Sequence, residues 1–261
     1  MRFGPKHGAT KPQLASFSVP SFPCRLTMLR CLSAASSQNL DMKEKHLSRV
    51  LDSGIVAVIR ASSGDLLSDV AEALLAGGVQ VMEITFTVPA AIRVLETVAQ
   101  RMGDRVLLGA GTVLDAETAR AALLAGAQFI VSPNTNLDVI RLCRRYDKLV
   151  MPGALTPTEV VTAWETGADI VKIFPSEITG PKYLKALHGP LPQVRLMPTG
   201  GVDLNTAAEF LRCGACALGV GGSLVEKKAV ETGNLTRIES LARQFVQIVN
   251  DTRQALADAG K

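Results

Sequence analysis

The sequence predicts an α/β fold, and within that class a (β/α)8 barrel, on three observations. Short apolar runs recur eight times, and their starts fall 20–27 residues apart, about one strand–helix unit each. Most of these runs are near-continuous Val, Ile and Leu, as in parallel strands covered on both faces. A glycine punctuation, Ala-Gly-Ala or a close variant, repeatedly stands just before a run. An open doubly wound sheet is the alternative, but eight even units with no inserted domain favour closure. Hydrophobic residues make up 47% of the 261 and aromatics only 4%, so the core must be built from Ala, Val, Leu and Ile.

The elements follow in order. Residues 43–53 form a helix before the first strand. The expected strands are Ile55–Arg60, Val79–Phe86, Val106–Thr112, Phe129–Ser132, Leu149–Ala154, Ile170–Phe174, Arg195–Thr199 and Ala217–Val220. Thr156-Pro-Thr-Glu159 and Asp203-Leu-Asn-Thr206 read as helix starts after a strand. Gly77-Gly78, Gly126, Gly167 and Gly214 read as helix stops, since glycine takes the left-handed conformation freely. Residues 235–257 form a closing helix with Asn234 as N-cap.

The first forty residues stand apart. They hold five basic residues (Arg2, Lys6, Lys11, Arg25, Arg30), no acid, and no helical or strand period. Residues 1–41 are a disordered tail, a transit peptide or an over-extended start, with Met28 and Met42 as alternative initiators; residues 42–261 are the folded domain. From Asp41 onward there are 23 basic and 24 acidic residues, a net charge of −1. Such a balance carries no electrostatic footprint for nucleic acid or an anionic membrane. No uncharged apolar stretch is long enough to span a bilayer. Five cysteines, an odd count, indicate reduced thiols and a cytoplasmic setting, or a plastid or mitochondrion if the tail is a transit peptide. Cys213 and Cys216 form a CxxC; without a second pair they read as small buried residues rather than a zinc or redox site.

In such a barrel, chemistry sits at the C-terminal ends of the strands. Lys172 lies in the middle of an apolar strand and shares a face with Ile170 and Phe174. An ammonium buried there loses solvation, and the neutral amine that results is what a Schiff-base nucleophile requires. Glu83 and Thr85 share the inward face of the second strand, where Glu83 is a candidate general acid/base or a structural partner for Lys172. Arg60 ends the first strand and suits a carboxylate or phosphate. Glycine-rich loops follow the seventh strand (Thr199, Gly200, Gly201) and the eighth (Gly221, Gly222, Ser223), the usual phosphate grip of these barrels, which a helix start after strand eight would reinforce. No His, Asp or Glu cluster falls at strand ends, so a metal is not expected. No nicotinamide or flavin fingerprint is present.

These segments together resemble the 2-keto-3-deoxy-6-phosphogluconate aldolase family, including members that also cleave 4-hydroxy-2-oxoglutarate. The resemblance spans about residues 43–250. It rests on Gly54-Ile-Val-Ala-Val-Ile-Arg60, Glu83-Ile-Thr-Phe-Thr-Val-Pro89, Gly109-Ala-Gly-Thr-Val113, Val131-Ser-Pro133, Met151-Pro-Gly153, Val171-Lys-Ile-Phe-Pro175, Pro198-Thr-Gly-Gly-Val202 and Gly221-Gly-Ser223. It implies a homotrimeric, metal-free class I aldolase of (β/α)8 form. Lys172 would form the Schiff base and Glu83 would act as acid/base, partly through a bound water. Thr112 and Pro133 would line the pyruvate pocket, with Phe174 beside the imine. Thr199, Gly200, Gly201, Gly222 and Ser223 would surround the substrate and its phosphate. Some members carry an arginine four residues after the glutamate; Thr87 stands there in this chain, and Arg60 is the substitute the resemblance implies. The implied reaction cleaves 2-dehydro-3-deoxy-6-phosphogluconate to pyruvate and glyceraldehyde 3-phosphate. The competing readings are preference for 4-hydroxy-2-oxoglutarate or the galactonate epimer, a phosphate-binding isomerase or synthase, and a sugar-phosphate sensor.

Overall fold

The apolar runs become strands and the amphipathic segments between them become helices. The computed structural model describes Met1, Gly4 and residues 42–259; the reading of residues 1–41 otherwise lies outside the described residues. In chain order the elements are α1 (residues 42–53), β1 (Ile55–Ile59), α2 (Leu67–Ala76), β2 (Val81–Thr85), α3 (Ala91–Met102), β3 (Leu107–Gly111), α4 (Ala116–Leu124), β4 (Phe129–Val131), α5 (Leu137–Arg145), β5 (Leu149–Met151), β6 (Gly153–Ala154), α6 (Pro157–Thr166), β7 (Val171–Ile173), α7 (Ser176–His188), β8 (Leu196–Pro198), α8 (Ala207–Arg212), β9 (Leu218–Val220), α9 (Lys227–Glu231) and α10 (Leu235–Ala259). The fold is α/β, and every strand pairing within its two sheets is parallel.

The strands are shorter than the sequence suggests and divide differently. They form a six-stranded sheet, β5-β4-β3-β2-β1-β9, and a three-stranded sheet, β6-β7-β8. The expected strand Leu149–Ala154 is split at Pro152, which has no N–H to donate to a ladder. The Pro152 carbonyl still accepts from the Lys172 N–H at 2.9 Å. Isolated bridges, Leu196 with Ala215 and Thr199 with Gly219, join β8 to the β9 region; Pro198 lies between them, again without a donor. Eight unbroken strands are therefore not what the hydrogen bonds draw.

Side chains alternate as the pleat requires. Val56, Val81, Leu107, Phe129, Val131, Leu149, Met151, Ile170, Met197 and Ala217 form one buried cluster, completed by Leu47, Val50 and Leu51 of α1. Their neighbours Ala57, Met82, Leu108, Ile130, Val150, Val171 and Leu218 belong to the larger sheet–helix core. Lys172 and Glu83 have the parity of the first set. Arg253 of α10 donates to the α1 carbonyls of Leu51 (2.6 Å) and Asp52 (2.7 Å) and to Cys216 (3.3 Å). It ties the closing helix to the end of the strands remote from the glycine loops.

Local signals account for most boundaries. Thr156 and Glu159 make a reciprocal capping box at α6. Asn234 accepts from the Arg237 N–H, as an N-cap should. Gly78, Gly126, Gly167 and Gly214 all have positive φ. Asp203 differs: its carboxylate caps a turn through Asn205 and Thr206, and α8 starts only at Ala207. In α7 the helix breaks at Gly180 (φ 68°) before Pro181. Cys216 packs with the first cluster and Cys213 with the second, so the CxxC thiols serve opposite faces.

Candidate active site

β7 carries Lys172 between Val171 and Ile173, which face the helices. Lys172 is only 3% exposed. Burial pushes its pKa down; the Glu83 carboxylate opposes this and the Arg60 guanidinium adds to it. The ammonium lies over the Phe174 ring, 5.0 Å from its centroid.

Glu83 reaches the same interior from β2. It is 1% exposed, and burial raises its pKa against the pull of Lys172 and Arg60. Neither of its carboxylate oxygens has a hydrogen-bond partner among the described residues. Glu83 is thus coupled to Lys172 by charge without being bonded to it, unlike a structural ion pair. Buried carboxylates are normally satisfied, and this one has no partner among the described side chains or backbone.

Thr85 fixes its neighbour. Its hydroxyl donates to the Ile59 carbonyl at 3.1 Å and contacts the Thr87 hydroxyl at 2.7 Å. Thr85 has one proton, already directed to Ile59, so Thr87 must donate to Thr85. Thr87 then presents only lone pairs outward. A single neutral hydroxyl there also lacks the charge and the two-pronged fork with which an arginine grips a carboxylate.

A cavity of about 260 Å³ opens above Phe174 and is lined by Arg60, Phe174, Thr199, Gly200, Gly201, Gly222 and Ser223, together with Val58, Glu177, Val202, Gly219 and Gly221. The backbone N–H groups of Gly200, Gly201, Gly222 and Ser223 make no hydrogen bond to the described backbone, which leaves them free for an anion. The helix expected to follow strand eight does not start there. Residues 222–224 form a turn, and α9 begins at Lys227 with only five residues, so no macrodipole assists. The loop after β8 is held by Ser176 of α7, whose N–H donates to the Thr199 carbonyl at 2.9 Å and whose hydroxyl accepts from the Thr199 N–H at 3.3 Å. The Thr199 hydroxyl is buried and unpartnered among the described residues.

Thr112 and Pro133 lie at the ends of β3 and β4 but do not line this cavity. Thr112 has φ 59°, a left-handed conformation that is strained for a β-branched residue. Pro133 packs against Gly153, where any side chain would overlap its carbonyl. Glu177 and Ser176 do not stand out in the sequence. Their only signal is the Ser-Glu pair opening the helix after Phe174-Pro175, which reads equally well as helix-start chemistry.

The family profile for KDPG and KHG aldolase matches residues 47–241. The chain belongs to this aldolase family. A curated relative from Treponema pallidum, 2-dehydro-3-deoxy-phosphogluconate aldolase, is 40% identical over 184 residues, 69% of this chain and 85% of the relative. Among solved structures, native KDPGal aligns with a TM-score of 0.72 at 32% identity, covering 77% of this chain and 96% of that one. The KDPG aldolase of Legionella pneumophila, with pyruvate captured as a covalent carbinolamine, aligns with a TM-score of 0.67 at 31% identity over 73% and 93%. Among the described residues of this aldolase-family chain, no group of three or more His, Cys, Asp or Glu is placed to hold a metal, and no helix is long and apolar enough to cross a membrane.

Proposed function

We propose that this chain is a class I aldolase that cleaves 2-dehydro-3-deoxy-6-phosphogluconate to pyruvate and glyceraldehyde 3-phosphate. The observation that carries the reading is a buried lysine, coupled to an unbonded buried carboxylate and lying against Phe174, whose ring lines a cavity with four free backbone donors. The neutral Lys172 amine adds to the C2 ketone, and loss of water leaves a protonated imine. A base, Glu83 acting directly or through a water, takes the C4 hydroxyl proton. The C3–C4 bond breaks, its electron pair enters the imine as an enamine, and the aldehyde leaves. Protonation at C3 and hydrolysis release pyruvate and restore the amine. Lys172 itself supplies the electron sink, so this scheme uses no metal or other cofactor.

The remaining roles follow from position. Arg60 takes an anionic end of the substrate, because its guanidinium lines the cavity and Thr87 carries no charge. Gly200, Gly201, Gly222 and Ser223 cradle the phosphate, and the free Thr199 hydroxyl meets a substrate oxygen. Thr112 and Pro133 border the pyruvate half from the ends of β3 and β4. The two sheets are read as arcs of one (β/α)8 barrel, supported by their junction at Pro152 and the bridge between Thr199 and Gly219. A homotrimer in the cytoplasm is proposed with the family resemblance, and residues 42–261 as the aldolase domain; a chain begun at Met42 that loses activity or soluble folding would refute the last point.

Preference among 2-dehydro-3-deoxy-6-phosphogluconate, its galactonate epimer and 4-hydroxy-2-oxoglutarate is read from kcat/KM on all three. The glycine cradle favours the phosphorylated acids. A higher kcat/KM for 4-hydroxy-2-oxoglutarate would overturn the substrate assignment while leaving the lysine chemistry intact.

A further inference from the structure

The inner face of β3 carries two glycines in alternation, Gly109 and Gly111, where neighbouring strands carry large side chains. Register pairs Glu83 with Gly109 and Thr85 with Gly111. The space a side chain would take at Gly109 is filled by the ring of Phe129. The space at Gly111 is filled by Glu83: a methyl there would stand 3.2 Å from the Glu83 Cγ, 2.6 Å from Cδ and closer still to Oε1. Gly111 is not among the residues with positive φ, so its backbone would accept alanine without strain. What must move is the free end of Glu83. No hydrogen bond holds that end, since both oxygens lack a partner among the described residues.

We propose that Gly111 is a positioning residue for Glu83, its bare α-carbon forming the seat on which the carboxylate rests beside Lys172. The proposal rests on the acid/base role assigned to Glu83 above. Ordinary carbon contacts lie at ~3.5–4.0 Å, so alanine at 111 displaces the carboxylate by about 1 Å, a misplacement that can cost on the order of 10²-fold in rate.

The test is Gly111→Ala, assayed for cleavage of 2-dehydro-3-deoxy-6-phosphogluconate and for pyruvate imine formation trapped with borohydride. Cleavage kcat should fall about 10²-fold while trapping at Lys172 persists. Glu83→Asp, one methylene shorter, should lose activity in the native background but recover part of the loss in Gly111→Ala, so that the double variant exceeds the product of the single effects. Independent, multiplying losses, or Gly111→Ala within twofold of the native rate, would overturn the proposal. If Gly111→Ala proves unstable, Gly111→Ala/Glu83→Ala should regain the native melting temperature; failure to do so shows that Glu83 is not what the methyl meets. Glu83→Gln separates the two claims. An active Glu83→Gln refutes the acid/base role, whereas a crippled Glu83→Gln beside an active Gly111→Ala refutes only the seat.

Discussion

Replacing Phe174 by leucine probes how the site sets the charge of Lys172. The ammonium stands 5.0 Å from the ring centroid, within the ~6 Å reach of a cation–π contact. That contact favours the charged form, so it opposes the burial that lowers the Lys172 pKa. Such contacts contribute about 0.5–1 kcal/mol when exposed and about 2 kcal/mol when desolvated; Lys172 is 3% exposed and belongs near the upper value. Leucine keeps most of the apolar bulk but has no ring quadrupole. The Lys172 pKa should therefore fall further, and more neutral amine should be present in acid. With about 1.4 kcal/mol per factor of ten, the acid-limb rate of pyruvate imine formation should rise roughly 2- to 30-fold relative to the variant's own alkaline plateau. Borohydride trapping of pyruvate across pH reads this ratio. An unchanged ratio, or a limb displaced to higher pH, would rule out the cation–π contribution and show that the ring acts by excluding water.

Three further outcomes are expected. Glu83→Gln should lower cleavage about 10²–10⁴-fold while retaining imine formation; because Glu83 raises the Lys172 pKa, the acid limb of trapping should also move to lower pH, and a shift to higher pH would contradict the assigned coupling. A methyl added at Gly222 would meet no atom within 4 Å, and the residue has no positive φ, so Gly222→Val should fold normally yet raise KM for the phosphorylated acid by about tenfold or more; an equal rise for 4-hydroxy-2-oxoglutarate would show that the loop only shapes the cavity. Arg253→Met removes three hydrogen bonds to carbonyls of Leu51, Asp52 and Cys216, which should lower stability by about 2–4 kcal/mol and Tm by roughly 5–15 °C with kinetics unaltered, whereas a melt within about 2 °C of native would show those bonds are replaced by water.

Much of the site is legible in sequence because strand parity is rigid. Lys172 flanked by Val171 and Ile173 has only one way to face, and the same parity puts Glu83 and Thr85 inside. The capping box at Thr156–Glu159 and the N-cap at Asn234 are local, so they survive folding unchanged. What sequence conceals is set by contacts between distant residues. Pro152 reads as part of an apolar run, yet its missing N–H divides the strand. Thr112 reads as a strand end, but its backbone turns left-handed and breaks the alternation. A helix start after the eighth run suits the sequence, whereas the turn at residues 222–224 delays it to Lys227. Gly109 and Gly111 fall inside the expected strand Val106–Thr112, and nothing in sequence shows that Phe129 and Glu83 fill the space beside them.

The whole catalytic scheme depends on a covalent imine between Lys172 and the keto acid. Incubation with pyruvate and borohydride, followed by peptide mass spectrometry, detects that bond itself. Inactivation is predicted with one reduced pyruvyl group per chain, located on Lys172 and lost in Lys172→Arg, since a guanidinium does not deprotonate to attack a carbonyl. A label on Lys182 or Lys185, or full cleavage activity in Lys172→Arg, would contradict it.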